Sequence, residues 1–210
     1  DHQDEHASLR CSYGRCVVMF SIQGEVMKKV LLVLSMFLCL GSHALAAEVD
    51  VSQSSIKWKG SKVTGSNHFG KISPKSSSLT LEGGKIVSGR LVLDMRSLTV
   101  DDIETEKYAI KFLNHMKGDD FFQVEKYPTA TLEIKRVDGN QMSGSLTIKG
   151  ITKPFSFPTQ FKDGKYIGKT TFDRTKFGVI YKSGNFFQDL GDKVINDEVE
   201  ISFEIALKGE

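Results

Sequence analysis

From about Ile56 onward, apolar and polar residues alternate with a period of two, the pattern of strands that bury one face and wet the other. The alternation is cleanest near the C-terminus, where Val199, Ile201, Phe203, Ile205 and Leu207 interleave with Glu200, Ser202, Glu204, Ala206 and Lys208. The same rhythm runs through Leu79 and Leu81, then Val87, Leu91, Leu93 and Met95, then Leu132 and Ile134. It continues in Met142, Leu146 and Ile148 and in Phe155, Phe157 and Phe161. A polar second face points to antiparallel strands, because parallel strands are buried on both sides. Between the runs stand Glu82-Gly83-Gly84-Lys85, Asp138-Gly139-Asn140 and Asp163-Gly164, where glycine or asparagine supplies the positive φ of a tight hairpin. An all-β antiparallel meander of about eight strands is therefore predicted, with an early strand around Ile56 to Trp58. Closure into a β-barrel is the simplest way to leave no edge exposed, and a two-sheet sandwich is the alternative.

Two stretches depart from this rhythm. Asp101 to Met116 carries apolar residues at mixed spacings of three and four behind Asp101, Asp102 and Glu104, which predicts one helix inserted between strands. Arg174 to Asp197 is too long for a hairpin turn and holds Phe177, Tyr181, Phe186 and Phe187, the composition of a loop that covers something.

Upstream of the strands, Met27-Lys28-Lys29 opens an apolar run from Val30 to Leu40 that ends in Gly41-Ser42-His43 and Ala44-Leu45-Ala46. A basic start, a short apolar stretch and small residues two apart are the grammar of a signal peptide over residues 27–46, with cleavage expected before Ala47. The run falls short of the roughly 20 residues of a spanning helix. Leu38 precedes Cys39 where lipid attachment wants a small residue, so no stable membrane anchor is expected. Residues 1–26 show no periodicity and are read as a non-native or mis-assigned N-terminal extension. The working domain is then 47–210, periplasmic or secreted.

Charge narrows the partners. The chain carries 28 Lys and Arg against 26 Asp and Glu, and removal through Ala46 takes four of each, leaving the net charge at +2. So balanced a surface has no electrostatic footprint for nucleic acid. All three cysteines, Cys11, Cys16 and Cys39, precede Ala47, so disulfides, thiolate zinc and a cysteine nucleophile are excluded from the domain, whose stability must come from packing.

Catalytic chemistry finds little support. After Ala47 the only histidines are His68 and His115, in unrelated contexts, and no nucleophile elbow, phosphate loop or zincin motif occurs. Asp119-Asp120 beside Phe121-Phe122 reads as a solvated acidic pair. No catalytic residue, metal or cofactor is assigned. Every phenylalanine except Phe20 and Phe37 lies in the domain, which suits an ordinary core as well as a lined cavity. Gly89, Gly144, Gly150 and Gly168 share the parity of inward residues, and an inward glycine marks either a bend in a barrel or room for a ligand.

Over about Glu48 to Leu207 the chain resembles the YceI-like family of exported lipid- or polyisoprenoid-binding proteins. The resemblance rests on Ile56-Lys57-Trp58, His68-Phe69-Gly70, Leu93-Asp94-Met95-Arg96-Ser97-Leu98, Asp120-Phe121-Phe122 and Glu125-Lys126-Tyr127-Pro128-Thr129-Ala130. It continues through the run from Gly144 to Pro154, then Asp173-Arg174-Thr175-Lys176-Phe177-Gly178 and Leu190-Gly191-Asp192. It implies a lipocalin-like antiparallel barrel whose lumen takes a long amphiphilic lipid, such as an isoprenoid quinone, a polyprenoid or a fatty-acid derivative. On that basis the lumen is expected to be lined by Trp58, Phe69, Leu91, Leu93, Leu132 and Leu146, and by Ile148, Phe155, Phe157, Phe172 and Phe203. Leu113, Phe121 and Phe122 are placed near the mouth, with Asp94, Arg174 or Tyr181 to meet the polar end. Non-catalytic sequestration or transport is the favoured function. The alternatives are an enzyme acting on such a lipid and a filled, partner-binding barrel. A homodimer would have to pair through side-chain surfaces or loops, since a closed barrel has no free edge.

Overall fold

The computed structural model describes residues 44–209. The expected extension over residues 1–26, most of the leader and all three cysteines lie outside the described residues.

Eleven strands are present among the described residues rather than about eight. In chain order they are β1 (Leu45–Ala47), β2 (Val49–Lys62), β3 (Asn67–Lys71), β4 (Ser73–Glu82), β5 (Lys85–Asp94) and β6 (Thr129–Asp138). There follow β7 (Gln141–Ile148), β8 (Ile151–Pro158), β9 (Gln160–Lys162), β10 (Lys165–Asp173) and β11 (Ile195–Leu207). The single α-helix among the described residues, α1 (Glu106–Lys117), lies between β5 and β6. The larger count comes from long runs that break where the chain changes sheet and from the three-residue strands β1 and β9.

All pairings are antiparallel, in two sheets ordered β1-β4-β5-β6-β7-β8 and β3-β2-β11-β10-β9. The predicted hairpins form where their glycines stand. Gly83 and Gly84, at φ 56° and 75°, join β4 to β5, and Asp163 and Gly164, at φ 52° and 74°, join β9 to β10. Two central residues of positive φ give the turn whose twist matches that of the strands. The chain itself crosses from one sheet to the other between β1 and β2, and farther on at two seams, between β3 and β4 and between β8 and β9. Hydrogen bonds stitch both seams: the Ile72 amide donates to the Ile56 carbonyl at 3.0 Å, and the Thr159 amide to the Asn140 carbonyl at 2.7 Å. Farther along, the Val49 amide donates to Ser77 Oγ at 2.7 Å and the Ile86 amide to Tyr166 Oη at 2.8 Å. The result is the expected all-β, lipocalin-like antiparallel barrel with one inserted helix. Both sheets turn apolar residues inward, among them Ile56, Trp58, Leu79, Ile134, Phe157 and Ile205, all buried.

Three local expectations are corrected. The helix begins five residues later than Asp101, because its acidic approach is tied to β3 instead. The Asp101 amide donates to the Phe69 carbonyl, and the Asp102 carboxylate accepts from the Phe69 amide at 3.0 Å and contacts His68 Nδ1 at 2.8 Å. In β5 the cavity face is taken by Ile86 rather than Val87, because the register shifts there: Ser88 pairs with Thr80 and Ile86 with Leu81, leaving Val87 as the extra residue of a bulge. The glycines, finally, mark close packing and a turn. A Cβ on Gly144 would lie 1.8 Å from the Glu133 carbonyl oxygen, and one on Gly168 would meet the Phe203 ring at 2.5 Å. Gly150 sits in the β7–β8 turn with φ 73°. None of these leaves open room for a ligand.

Candidate ligand cavity

The facing sides of the two sheets enclose a cavity of about 450 Å³, within the range of small-molecule sites. Its floor lies where β2 and β10 begin and β11 ends, against Val49, Ile86, Tyr166 and Ile205. The mouth lies at the opposite end, where β2 gives Gly60, Ser61 and Lys62 and β11 begins with Ile195. The wall follows β11 from Ile195 to Ile205, roughly 33 Å measured along the strand. Apolar side chains dominate every strand between the two ends, and the charged ones gather at the mouth, while Thr159 and Tyr166 toward the floor and Thr170 on β10 add uncharged polar groups.

Of the residues expected inside, Trp58, Leu91, Leu93, Leu132, Leu146 and Ile148 line the wall. So do Phe155, Phe157, Phe172 and Phe203, with Phe121 and Phe122 toward the mouth. Three of the phenylalanines form a continuous set: Phe155 stacks on Phe157 at 5.6 Å between centroids, and Phe157 meets Phe203 edge-on at 5.6 Å. Aromatic pairs in these arrangements add attraction beyond their buried area.

Three expected residues lie elsewhere. Phe69 is 45% exposed on the outer face of β3, because β3 presents His68 to the cavity and side chains of adjacent residues point oppositely. Leu113 packs against the core beneath α1 without reaching the cavity. The stripe that does reach it is Phe112, His115 and Met116, at the spacings of three and four that share a helix face. Asp94 turns its carboxylate back to accept the Arg96 amide at 2.9 Å, capping a short 3-10 turn.

The mouth is built from three elements. From α1, Phe112 stacks on Trp58 at 6.4 Å and lies 4.6 Å from the His68 ring. His115 sets its edge against Phe121 at 5.1 Å and Tyr181 at 4.8 Å, and its Nε2 lies 3.0 Å from Asp120. Burial works to raise the Asp102 carboxyl, but the bonds from the Phe69 amide and His68 outweigh it, so it titrates below the usual carboxylate value. Asp102 thereby orients the imidazole of His68.

Arg174 reaches the cavity as expected but serves chiefly as a clamp. It is 2% exposed, and its guanidinium donates to the carbonyls of Val179 at 2.7 Å, Asn196 at 3.0 Å and Ile195 at 3.0 Å. A contact to Asp197 at 3.3 Å completes the set. Burial pulls its pKa down from the usual value, while Asp197 and Asp173 hold it up. The clamp ties both ends of the long loop before β11 to the barrel, and Asp197 extends it to Ser183 and Asn185. Tyr181 stands on that loop at the mouth.

Sequence patterning missed Phe112, Met116, Tyr166, Lys62 and Lys182. Ile201 and Ile205 were legible, since they share the parity of Phe203 in β11. Lys62 and Lys182 carry no local signal, because Lys62 enters the wall through the pairing of β2 with β11 and Lys182 through a loop whose backbone bonds to Ile195. Among the described residues no group of three or more His, Cys, Asp or Glu is placed to hold a metal ion, and no helix is long and apolar enough to cross a membrane.

Comparison with known proteins fits this architecture. Proteins designated UPF0312 from Staphylococcus aureus match over 104 residues, one from strain N315 at 44% identity and one from strain RF122 at 32%. The match takes in 44% of this chain and spans 58% of the length of those relatives. A Vibrio parahaemolyticus UPF0312 protein is 25% identical over 178 residues, 76% of this chain and 90% of its own. Among solved structures, Burkholderia cenocepacia BcnA superposes with a TM-score of 0.55 at 22% identity, over 75% of this chain and 98% of that one. A polyisoprenoid binding domain from Saccharophagus degradans gives 0.53 at 16% identity, over 77% and 97%. The model of the YceI-like domain matches residues 48–207, which is the whole barrel from β2 to the end of β11. The chain belongs to the YceI-like family.

Proposed function

We propose that the chain binds one long amphiphilic lipid non-catalytically, sequestering its tail in the barrel between the mouth and the floor. The carrying observation is a cavity whose wall is predominantly apolar from β2 to β11, with its charged side chains, Lys62, His68, His115, Arg174 and Lys182, gathered at one end. That gradient matches a molecule with an apolar tail and one polar head. The reading draws further support from a structural neighbour described as a polyisoprenoid binding domain. An isoprenoid quinone, a polyprenoid or a fatty-acid derivative fits the chemistry of the wall.

Affinity can come from burial alone. Each buried methylene gains about 0.8 kcal/mol, but ligands of this size realise only about 0.3 kcal/mol per heavy atom. A lipid of roughly 30 heavy atoms would bind near −9 kcal/mol, about submicromolar. Export completes the proposal: the leader grammar supports a periplasmic or secreted address for the barrel, where a lipid leaving a membrane needs cover from water. Cleavage before Ala47 would leave Ala47 opposite Leu79 as the remaining β1 pair.

The test is native mass spectrometry of the exported protein purified without detergent, followed by organic extraction. A stoichiometric lipid, lost when Phe157 or Leu146 is replaced by arginine, supports the reading. A ligand-free protein that also takes up no added quinone, polyprenol or fatty acid defeats it.

A further inference from the structure

The cavity wall has a bias of charge that the rest of the chain lacks. Apart from Tyr166 and Tyr181, every ionisable side chain lining it is basic: Lys62, Arg174, Lys182, His68 and His115. No aspartate or glutamate reaches the wall, although the chain as a whole balances 28 Lys and Arg against 26 Asp and Glu.

Three of the five basic groups already face an acid: Arg174 meets Asp197, His68 meets Asp102, and His115 meets Asp120. Lys62 and Lys182 make no ion pair among the described residues. The fold brings these two together from positions far apart in sequence. Lys62 is the register partner of Ile195, and the Ile195 amide donates to the Lys182 carbonyl at 2.9 Å. Both lysines therefore flank the same residue of β11 at the mouth. The Lys182 ammonium lies 5.2 Å from the centroid of the Tyr181 ring. Uncompensated positive charge at the rim of an apolar hollow is felt more strongly than on an open surface, because low-dielectric walls focus the field.

We infer that the mouth is an anion-binding subsite: the lipid it selects ends in a phosphate or a carboxylate, held by Lys62 and Lys182 while its tail fills the barrel. This rests on the cavity reading above and narrows it from amphiphiles in general to anionic ones. A neutral head of the same size leaves both ammonium groups unanswered. Phosphate on an isoprenoid and carboxylate on an acyl chain share the chemistry, and the tail decides between them.

The experiment compares tail-matched pairs on the full chain. Geranylgeranyl monophosphate is set against geranylgeraniol, and palmitate against hexadecanol, each below its aggregation limit. Trp58, the one tryptophan of the chain, lines the cavity and reports occupancy by its fluorescence. In each pair that binds, the anion is expected to bind at least about tenfold tighter than the alcohol, with an advantage that shrinks as salt rises. The Lys62→Gln, Lys182→Gln double variant is expected to lose that advantage and keep its affinity for the alcohol. A stronger response to geranylgeranyl monophosphate identifies the isoprenoid source, and a stronger response to palmitate the acyl one. Equal affinities within each pair for the unaltered protein would overturn the inference while leaving the cavity reading standing. An anion preference that survives in the double variant would overturn the assignment to the lysines. If no ligand of either tail binds, the cavity reading falls and the inference falls with it.

Discussion

Gly144 and Gly60 look alike in the sequence and differ completely in the barrel. A Cβ on Gly144 would lie 1.8 Å from the Glu133 carbonyl oxygen, beside the register shift between Ile134 and Arg136, whereas one on Gly60 meets nothing within 4 Å. Gly144→Ala is expected to destabilise by about 2–3 kcal/mol or more, since the obstacle is backbone. Gly60→Ala is expected to stay within about 0.5 kcal/mol. Urea unfolding of both variants checks the pair, and equal midpoints would contradict the close packing assigned to Gly144. Asp102 gives a prediction in pH. Its carboxyl sits below the usual value in the folded chain, so its contribution is full above the ordinary carboxylate pKa and is lost as pH falls through the folded one. The stability advantage over Asp102→Asn should therefore be constant near neutrality and shrink in acid below about pH 4. An advantage that does not change across that window would show that the bonds from Phe69 and His68 are not what lowers the carboxyl.

α1 differs in kind from the sheets it closes. None of its residues is buried, its N-cap Thr105 makes no side-chain capping bond, and it adheres mainly through Phe112, Met116 and their neighbours. An element with little buried surface opens at lower free energy than the sheets around it. Hydrogen exchange of Glu106–Lys117 is accordingly expected to run at least about tenfold faster than at Leu91 and Leu132 in the middle of the larger sheet. Phe112→Ala, which removes the stack on Trp58, should quicken it further, and a bound lipid should slow it. Exchange in α1 as slow as in β5 and β6 would mean that the helix is a fixed part of the barrel and not its opening side. The Arg174 clamp accounts for the contrast with the long loop, which is fastened at Val179, Ile195 and Asn196 by one side chain.

A hollow interior changes how stability responds to a ligand. A filled barrel gains nothing from a tail it cannot admit, whereas one that binds only when folded gains about 2.7 kcal/mol at a hundred times Kd. For a domain of this length that raises Tm by roughly 5–10 °C. Thermal unfolding with increasing lipid checks this, and a midpoint that does not move at saturating tail would favour the filled, partner-binding alternative.

The sequence by itself determined the strands, their antiparallel sense and the hairpin turns, because each depends on neighbours in the chain: a period of two sorts faces, and Gly83-Gly84 or Asp163-Gly164 supplies the local φ. It also determined most of the cavity wall, since parity in β2, β6, β7, β8 and β11 places Trp58, Leu132, Leu146, Phe157 and Phe203 on one side. Parity failed where the chain departs from a plain ladder. The bulge at Val87 slips the phase between Ile86 and Leu91, and Phe69 faces outward because it stands opposite Lys59 in β2 while His68, opposite Gly60, takes the inner face. Only the tertiary structure decided that Phe112 rather than Leu113 meets the cavity, that Arg174 is consumed as a clamp, and that Lys62 and Lys182 share the mouth. Each of these depends on which other strand, helix or loop arrives opposite, and such a contact, whether between Arg174 and Val179 or between Lys62 and Ile195, leaves no periodic trace in either segment.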